Sequence, residues 1–359
     1  MTKHYRLALA AFAICTSAAA LAAEPEETIG TDSESLKTEF FPSPAAVYDE
    51  PEKVHVAFQT RFDFDWTKPQ NDKSEAGFHG RYLNLIVNGE IVHGLSYNWR
   101  QRLNKFGDFG NDVFSATDWI YLTYRWGQNQ NWAVSGGKQV VAIGGYEYDL
   151  APINMFYSSM WWTTIACYQF GVSGSYTTTN GNHTILAQFC NSIFQSTTSR
   201  CFSYNLMWQG HVGFWSPIWS VNALEYRRGK FANYIALGNR FDFCSAAFLE
   251  LDIVNRYSEG AHYLFGDYSL IGKLQYNVSP QLSIFAKGGY ERFRVEPGTP
   301  SSTAIEKPFI GAGVEVFPLK RYHDLRLHAA WDMNHTLEGQ RFNQIQVGCT
   351  LKVDLLSVR

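Results

Sequence analysis

The sequence predicts an all-β protein: an exported, transmembrane antiparallel β-barrel of about sixteen strands with one inward-folded loop. Three observations point there. Apolar and polar residues alternate with a period of two over most of the chain. Past its first residues no stretch of ten is uniformly apolar. Aromatic residues reach 16%, with 20 Tyr, 26 Phe and 11 Trp. A water-exposed face repeating such rings would be an aggregation hazard. In a membrane barrel the rings meet lipid and are diluted by polar residues on the opposite face.

The alternation is clearest at the start of the barrel. Val54, Val56, Phe58, Thr60, Phe62, Phe64 and Trp66 form one face, and His55, Gln59, Arg61, Asp63 and Asp65 form the other, which is the signature of a half-buried strand. The same pattern returns around 268–278 and 344–353. Counting such segments gives roughly 54–66, 77–87, 91–104, 114–126, 132–144, 164–177, 183–193, 202–210, 217–228, 231–241, 247–257, 267–278, 281–295, 308–318, 325–334 and 342–354. Most reach the nine to eleven residues, roughly, that a tilted strand needs to cross a bilayer. A soluble β-sandwich, with strands of about five or six residues, fits less well.

The connections alternate between short and long, as in membrane barrels. Asn88-Gly89 reads as a tight hairpin, and 128–131, 180–182 and Ser279-Pro280 are also short. Longer polar joins fall near 67–76, 105–113, 145–163, 258–266 and 296–307. Gly229-Lys230 breaks the pattern, being short where a long loop is due.

Three regions follow. Residues 1–22 read as a signal peptide: Lys3 and Arg6 precede an apolar stretch from Leu7 to Ala20, and Ala20-Leu21-Ala22 is a small-x-small cleavage site. Residues 23–53 form an acidic, flexible N-terminal segment with nine acids against Lys37 and Lys53, and Pro25, Pro42, Pro44 and Pro51. Residues 54–359 form the barrel. The whole-chain charge of -3 becomes -5 once Lys3 and Arg6 are removed, and subtracting the segment's -7 leaves the barrel near +2. Five cysteines remain after the signal: Cys167, Cys190, Cys201, Cys244 and Cys349. Cys167 and Cys349 fall in predicted strands, and Cys190 and Cys201 bracket one loop and could pair if oxidised.

The sequence carries no HExxH helix, GxSxG elbow or phosphate loop, so no catalytic residue, metal site or cofactor is expected, nor a nucleic-acid partner. Charge on the bore-facing parity stands out instead. A lipid-facing Arg or Lys near the bilayer midplane costs about 2–4 kcal/mol. Arg61, Asp63, Asp65, Arg100, Arg102, Glu250, Asp252, Arg256, Lys273 and Lys287 are therefore assigned to the bore. Acids such as Glu291 and Asp332 dilute the positive set, so at most a weak anion preference is expected. The join 144–163, with Glu147 and Asp149, suits a loop folded into the bore, a surface loop or a subunit contact.

Gly80–Lys105, Ala116–Trp126, Ser135–Ile153, Ser220–Phe241 and Gly311–Leu319 resemble, over nearly the whole mature chain, the outer-membrane porins of the phosphate-selective porin O and P family. The resemblance implies a 16-stranded barrel, homotrimers in the bacterial outer membrane, and an inward-folded third external loop matching 146–163. Phosphate-selective members use an Arg ladder and a Lys cluster. Candidates here are Arg100, Arg102, Arg125, Lys138, Lys273 and Lys287, but interspersed acids keep phosphate selectivity from being carried over. Passive diffusion of small hydrophilic solutes and ions is the expected function, and a plugged structural or adhesive barrel is the alternative.

Overall fold

The computed structural model describes residues 52–105, 112–194, 200–260, 266–319 and 324–358. The expected signal peptide, 1–22, and almost all of the expected acidic segment, 23–53, lie outside them. Sixteen antiparallel strands form one closed barrel: β1 (Val54–Pro69), β2 (Glu75–Val92), β3 (Leu95–Arg102), β4 (Thr117–Trp126), β5 (Trp132–Val140), β6 (Tyr168–Thr177), β7 (His183–Asn191), β8 (Phe202–Gly210), β9 (Trp215–Arg227), β10 (Lys230–Cys244), β11 (Ala247–Tyr257), β12 (Tyr268–Ser279), β13 (Leu282–Phe293), β14 (Ile305–Val316), β15 (Leu325–His335) and β16 (Arg341–Val358). Each segment read from the alternation contains one of these strands or most of it. Every strand pairs with its sequence neighbours, and β1 closes on β16 from Val54↔Val358 to Pro69↔Phe342.

The two faces separate as the period predicts. Ile120, Leu122, Tyr124 and Trp126 of β4 are exposed on the outside, and the outward positions on β12 and β16 continue the band with Leu270, Leu274, Ile345 and Val347. An apolar outer band with ring-bearing residues near its edges is what hydrocarbon between two headgroup layers selects. Among the described residues no helix is long and apolar enough to cross a membrane.

Several boundaries differ from the sequence reading. β2 runs through Asn88-Gly89 to Val92, and the chain turns at His93-Gly94, with Gly94 at φ +82. Gly89 is small for another reason. A Cβ there would lie 2.1 Å from the Lys53 carbonyl oxygen, because the chain entering β1 lies against it and Glu90 N donates to Glu52 O at 2.9 Å. The connection after β9 is short, with Gly229 at φ +74. β5 ends at Val140 and β6 begins at Tyr168, so Cys167 precedes the strand expected to contain it. The five cysteines among the described residues are free thiols.

The two faces give a direct test. Leu122→Arg places a charge in the outer band and should destabilise the folded barrel by about 2–4 kcal/mol. Tyr121→Arg, one residue away on the bore side, should cost much less. Urea titration of folding into lipid vesicles reads both; equal losses would reject the assigned faces.

Candidate functional site: a bore crossed by a pinned loop

The long connection between β5 and β6 enters the bore. It carries two short helices, α1 (Tyr146–Asp149) and α2 (Met160–Thr164). Its entry depends on Gly144-Gly145. A Cβ on Gly144 would lie 2.5 Å from the Ile218 carbonyl oxygen of β9, and Gly145 holds φ +117. Only glycine lets the chain pass this close to the wall.

Carboxylates and cations from distant strands then fix the loop by its backbone. Asp252 on β11 accepts from Tyr146 N at 2.8 Å and Glu147 N at 2.7 Å. Glu291 on β13 accepts from Met160 N at 2.6 Å and Trp161 N at 3.1 Å. Both carboxylates therefore engage the unsatisfied N–H groups that begin a helical turn. Arg61 on β1 donates to Ile153 O at 3.1 Å and Met155 O at 2.6 Å. Lys287 on β13 donates to Tyr157 O at 3.0 Å and pairs with Glu147 at 2.7 Å. Glu147 also accepts from Ser159 N at 2.8 Å and from the Ser159 hydroxyl. Arg326 and Asn334 on β15 donate to Asn154 Oδ1 at 2.7 Å and Ser158 O at 3.0 Å.

The loop divides the bore unequally. On the β7–β11 side, inward residues Leu186, Met207, Ile218, Leu224, Ala236 and Val254 are buried and apolar. They pack with loop residues Ile143, Tyr146, Tyr148 and Trp161. On the β4–β6 side, inward Thr123, Gln139 and Ser173 are buried, but inward Tyr121, Arg125, Ser135 and Ser175 are only half-buried.

This division sorts the candidates named from the sequence. Arg61, Glu147, Asp252 and Lys287 are buried and hold the loop. Arg100 is buried, its guanidinium 3.6 Å over the Trp119 ring and 2.9 Å from Asp118. Arg102 shares Asp118 at 2.8 Å and retains 17% side-chain exposure. Arg125 faces inward near the short-turn end and donates to Ser96 Oγ at 3.2 Å. Asp149 closes α1 and is half-buried. Glu250 and Lys273 face the bore with 12% and 20% side-chain exposure.

Lys138 is a correction. It pairs with Ile120 and Phe170, both on the outer face, so it does not line the bore. Its ammonium bends to the carbonyls of Phe114 and Thr117, each at 2.6 Å, and is thereby kept from the apolar band. Sequence reading also left out Arg326 and Asn334 as loop anchors. Both fall on the inward parity of β15, opposite Leu325 and Leu327, but parity carries no information about which inward groups meet a loop.

Replacing Asp252 by Ala should release the first turn of the loop, since a hydrogen bond to a charged group contributes about 1.5–3 kcal/mol. Hydrogen exchange of the Tyr146 and Glu147 amides should accelerate, and Asp252→Asn should fall between. Unchanged exchange in Asp252→Ala would mean that other contacts alone hold α1.

Comparison with known proteins agrees with this geometry. Residues 53–209 match the family model described as phosphate-selective porin O and P. The match covers β1 to β8, so the resembling stretches at Ser220–Phe241 and Gly311–Leu319 lie beyond it. No curated protein sequence matches the chain. Among solved structures, the outer membrane channel DcaP of Acinetobacter baumannii aligns with TM-score 0.59 at 13% identity, over 84% of this chain and 97% of that one. OmpT of Vibrio cholerae aligns with TM-score 0.58 at 12% identity, over 85% and 99%. A mutant of the Rhodopseudomonas blastica porin aligns with TM-score 0.54 at 10% identity, over 84% and 100%. At such identities these likenesses speak to the fold. Over residues 53–209 the chain is similar in sequence to the phosphate-selective porin O and P family, and from β1 to β16 it has the fold of the solved outer-membrane porins.

Proposed function

We infer that the protein is a passive diffusion channel for small hydrophilic solutes and ions, assembled as a homotrimer in the bacterial outer membrane. The observation that carries this reading is the asymmetry of the bore. The loop is packed against apolar wall on one side, while inward Tyr121, Arg125 and Ser175 opposite it stay partly exposed. A plug would bury both sides.

Selectivity then rests on the few charges left to the water. Arg102, Lys273 and Arg81 keep 17%, 20% and 36% side-chain exposure. Each is close to a carboxylate, Asp118, Glu250 and Asp63 respectively. Paired charges of both signs support a mild preference for anions and do not favour exclusive phosphate passage.

In planar bilayers the purified protein should open in steady steps grouped in threes, whereas a silent bilayer would favour the plugged barrel. Under a KCl gradient the zero-current potential should show slight anion preference. Arg102→Gln should move it toward cations, and Lys138→Gln, on the outer face, should not. The reverse pattern would place the passage away from β3.

A further inference from the structure

Beneath the loop, toward the short-turn end, lies a cavity between the loop and strands β11 to β15. Phe248, Lys273 and Phe285 line its wall, and Leu150 and Phe156 of the loop close it. Its surroundings combine rings with one loosely held ammonium. Phe156 stacks on Phe285 with centroids 5.5 Å apart. Lys273 Nζ lies 5.6 Å from the Phe248 ring and 5.9 Å from the Phe285 ring. Its nearest carboxylate oxygen, on Glu250, is 3.9 Å away, beyond hydrogen-bond reach.

The other charges of the cavity are engaged more closely. Lys287 holds Glu147 at 2.7 Å, and Arg326 holds Glu315 at 2.9 Å. Asp252 accepts two backbone N–H groups. Glu250 has a second cation, Arg240, at 3.7 Å, so it keeps a counter-charge when Lys273 turns elsewhere. Lys273 is thus the group most able to exchange its partner, and it stands beside two rings of the wall, Phe248, whose face also carries the Arg240 guanidinium at 3.8 Å, and Phe285.

We propose that this cavity is a resting site for aromatic carboxylates on their way through the bore, with the ring against Phe248 and Phe285 and the carboxylate on Lys273. The proposal rests on the diffusion-channel reading and adds a solute class to it. A small hydrated anion such as acetate or inorganic phosphate meets the same ammonium but gains nothing from the rings. A neutral aromatic gains only the rings.

Blockage of KCl current through the full-length protein in planar bilayers tests this, with benzoate, acetate and benzyl alcohol added separately from the short-turn side. Benzoate should interrupt the current at a concentration about tenfold or more below that needed for either of the others, the ratio for one added interaction of moderate strength. Lys273→Gln should remove most of benzoate's advantage over benzyl alcohol, and Phe285→Leu most of its advantage over acetate. Equal blockage by benzoate and acetate in the unmodified protein would overturn the proposal. So would equal blockage by benzoate and benzyl alcohol, or a benzoate response that Lys273→Gln leaves intact. A protein that conducts without selective benzoate block refutes only the aromatic site; one that never conducts refutes the channel reading beneath it.

Discussion

Everything in this molecule depends on the closure of β1 on β16. Inside a bilayer no water is available to an unpaired backbone N–H or C=O, and each one left open costs several kcal/mol. The ladder from Val54↔Val358 to Pro69↔Phe342 removes the edges that sixteen strands would otherwise present. Closure also fixes which way each side chain points, since a slip of one residue would carry a whole strand's apolar set into the bore. Departures from this alternation are therefore local and identifiable. At the top of β4, Arg100 pairs with Trp119 and Gln101 with Thr117, leaving Asp118 without a partner in the ladder. That bulge lets Asp118 and Trp119 both surround the two arginines of β3 while Ile120 stays outside.

Closure sets the wall, and buried charge sets what crosses it. Bringing Asp252, Glu291, Arg61 and Lys287 out of water carries a large desolvation cost, offset only by well-made hydrogen bonds. In each case the partner includes backbone of the inserted loop. Such contacts add little net stability compared with apolar packing, but they are exacting about position. A shifted loop would strand several buried charges at once. The loop thus has one location, reached from β1, β11, β13 and β15 together. The inward charges that stay partly exposed are the ones left over from this arrangement.

The strands were legible because period two is a local signal that survives without any knowledge of neighbours. Gly144-Gly145 was legible in the same way, as a place where the backbone must pass close to something. Asn88-Gly89 misled because the residue pair that favours a tight turn also suits close passage of another chain segment; the difference lies in Lys53, thirty-odd residues away. Lys138 could have been placed correctly by counting parity from Trp132 and Val134. The division of inward charges into loop anchors and water-facing groups was not legible. Arg61 and Arg102 look alike in sequence, and only the path of residues 141–167 makes one a clamp and leaves the other partly exposed beside Asp118.

A subtler signal was present in β10. Its inward residues Ala232, Tyr234 and Ala236 are nearly as apolar as its outward Phe231, Ile235 and Leu237. A strand apolar on both faces cannot border water on either. One face has lipid; the other needs protein cover from within the bore. The same holds for Leu186 and Met207 on β7 and β8. Among the described residues the connection between β5 and β6 supplies that cover, with Ala142, Ile143, Tyr146, Tyr148 and Trp161 packed on the wall. The inward fold of the loop and the partly exposed remainder of the inner wall are thus two consequences of one feature: an inner wall that is apolar over only part of its circumference.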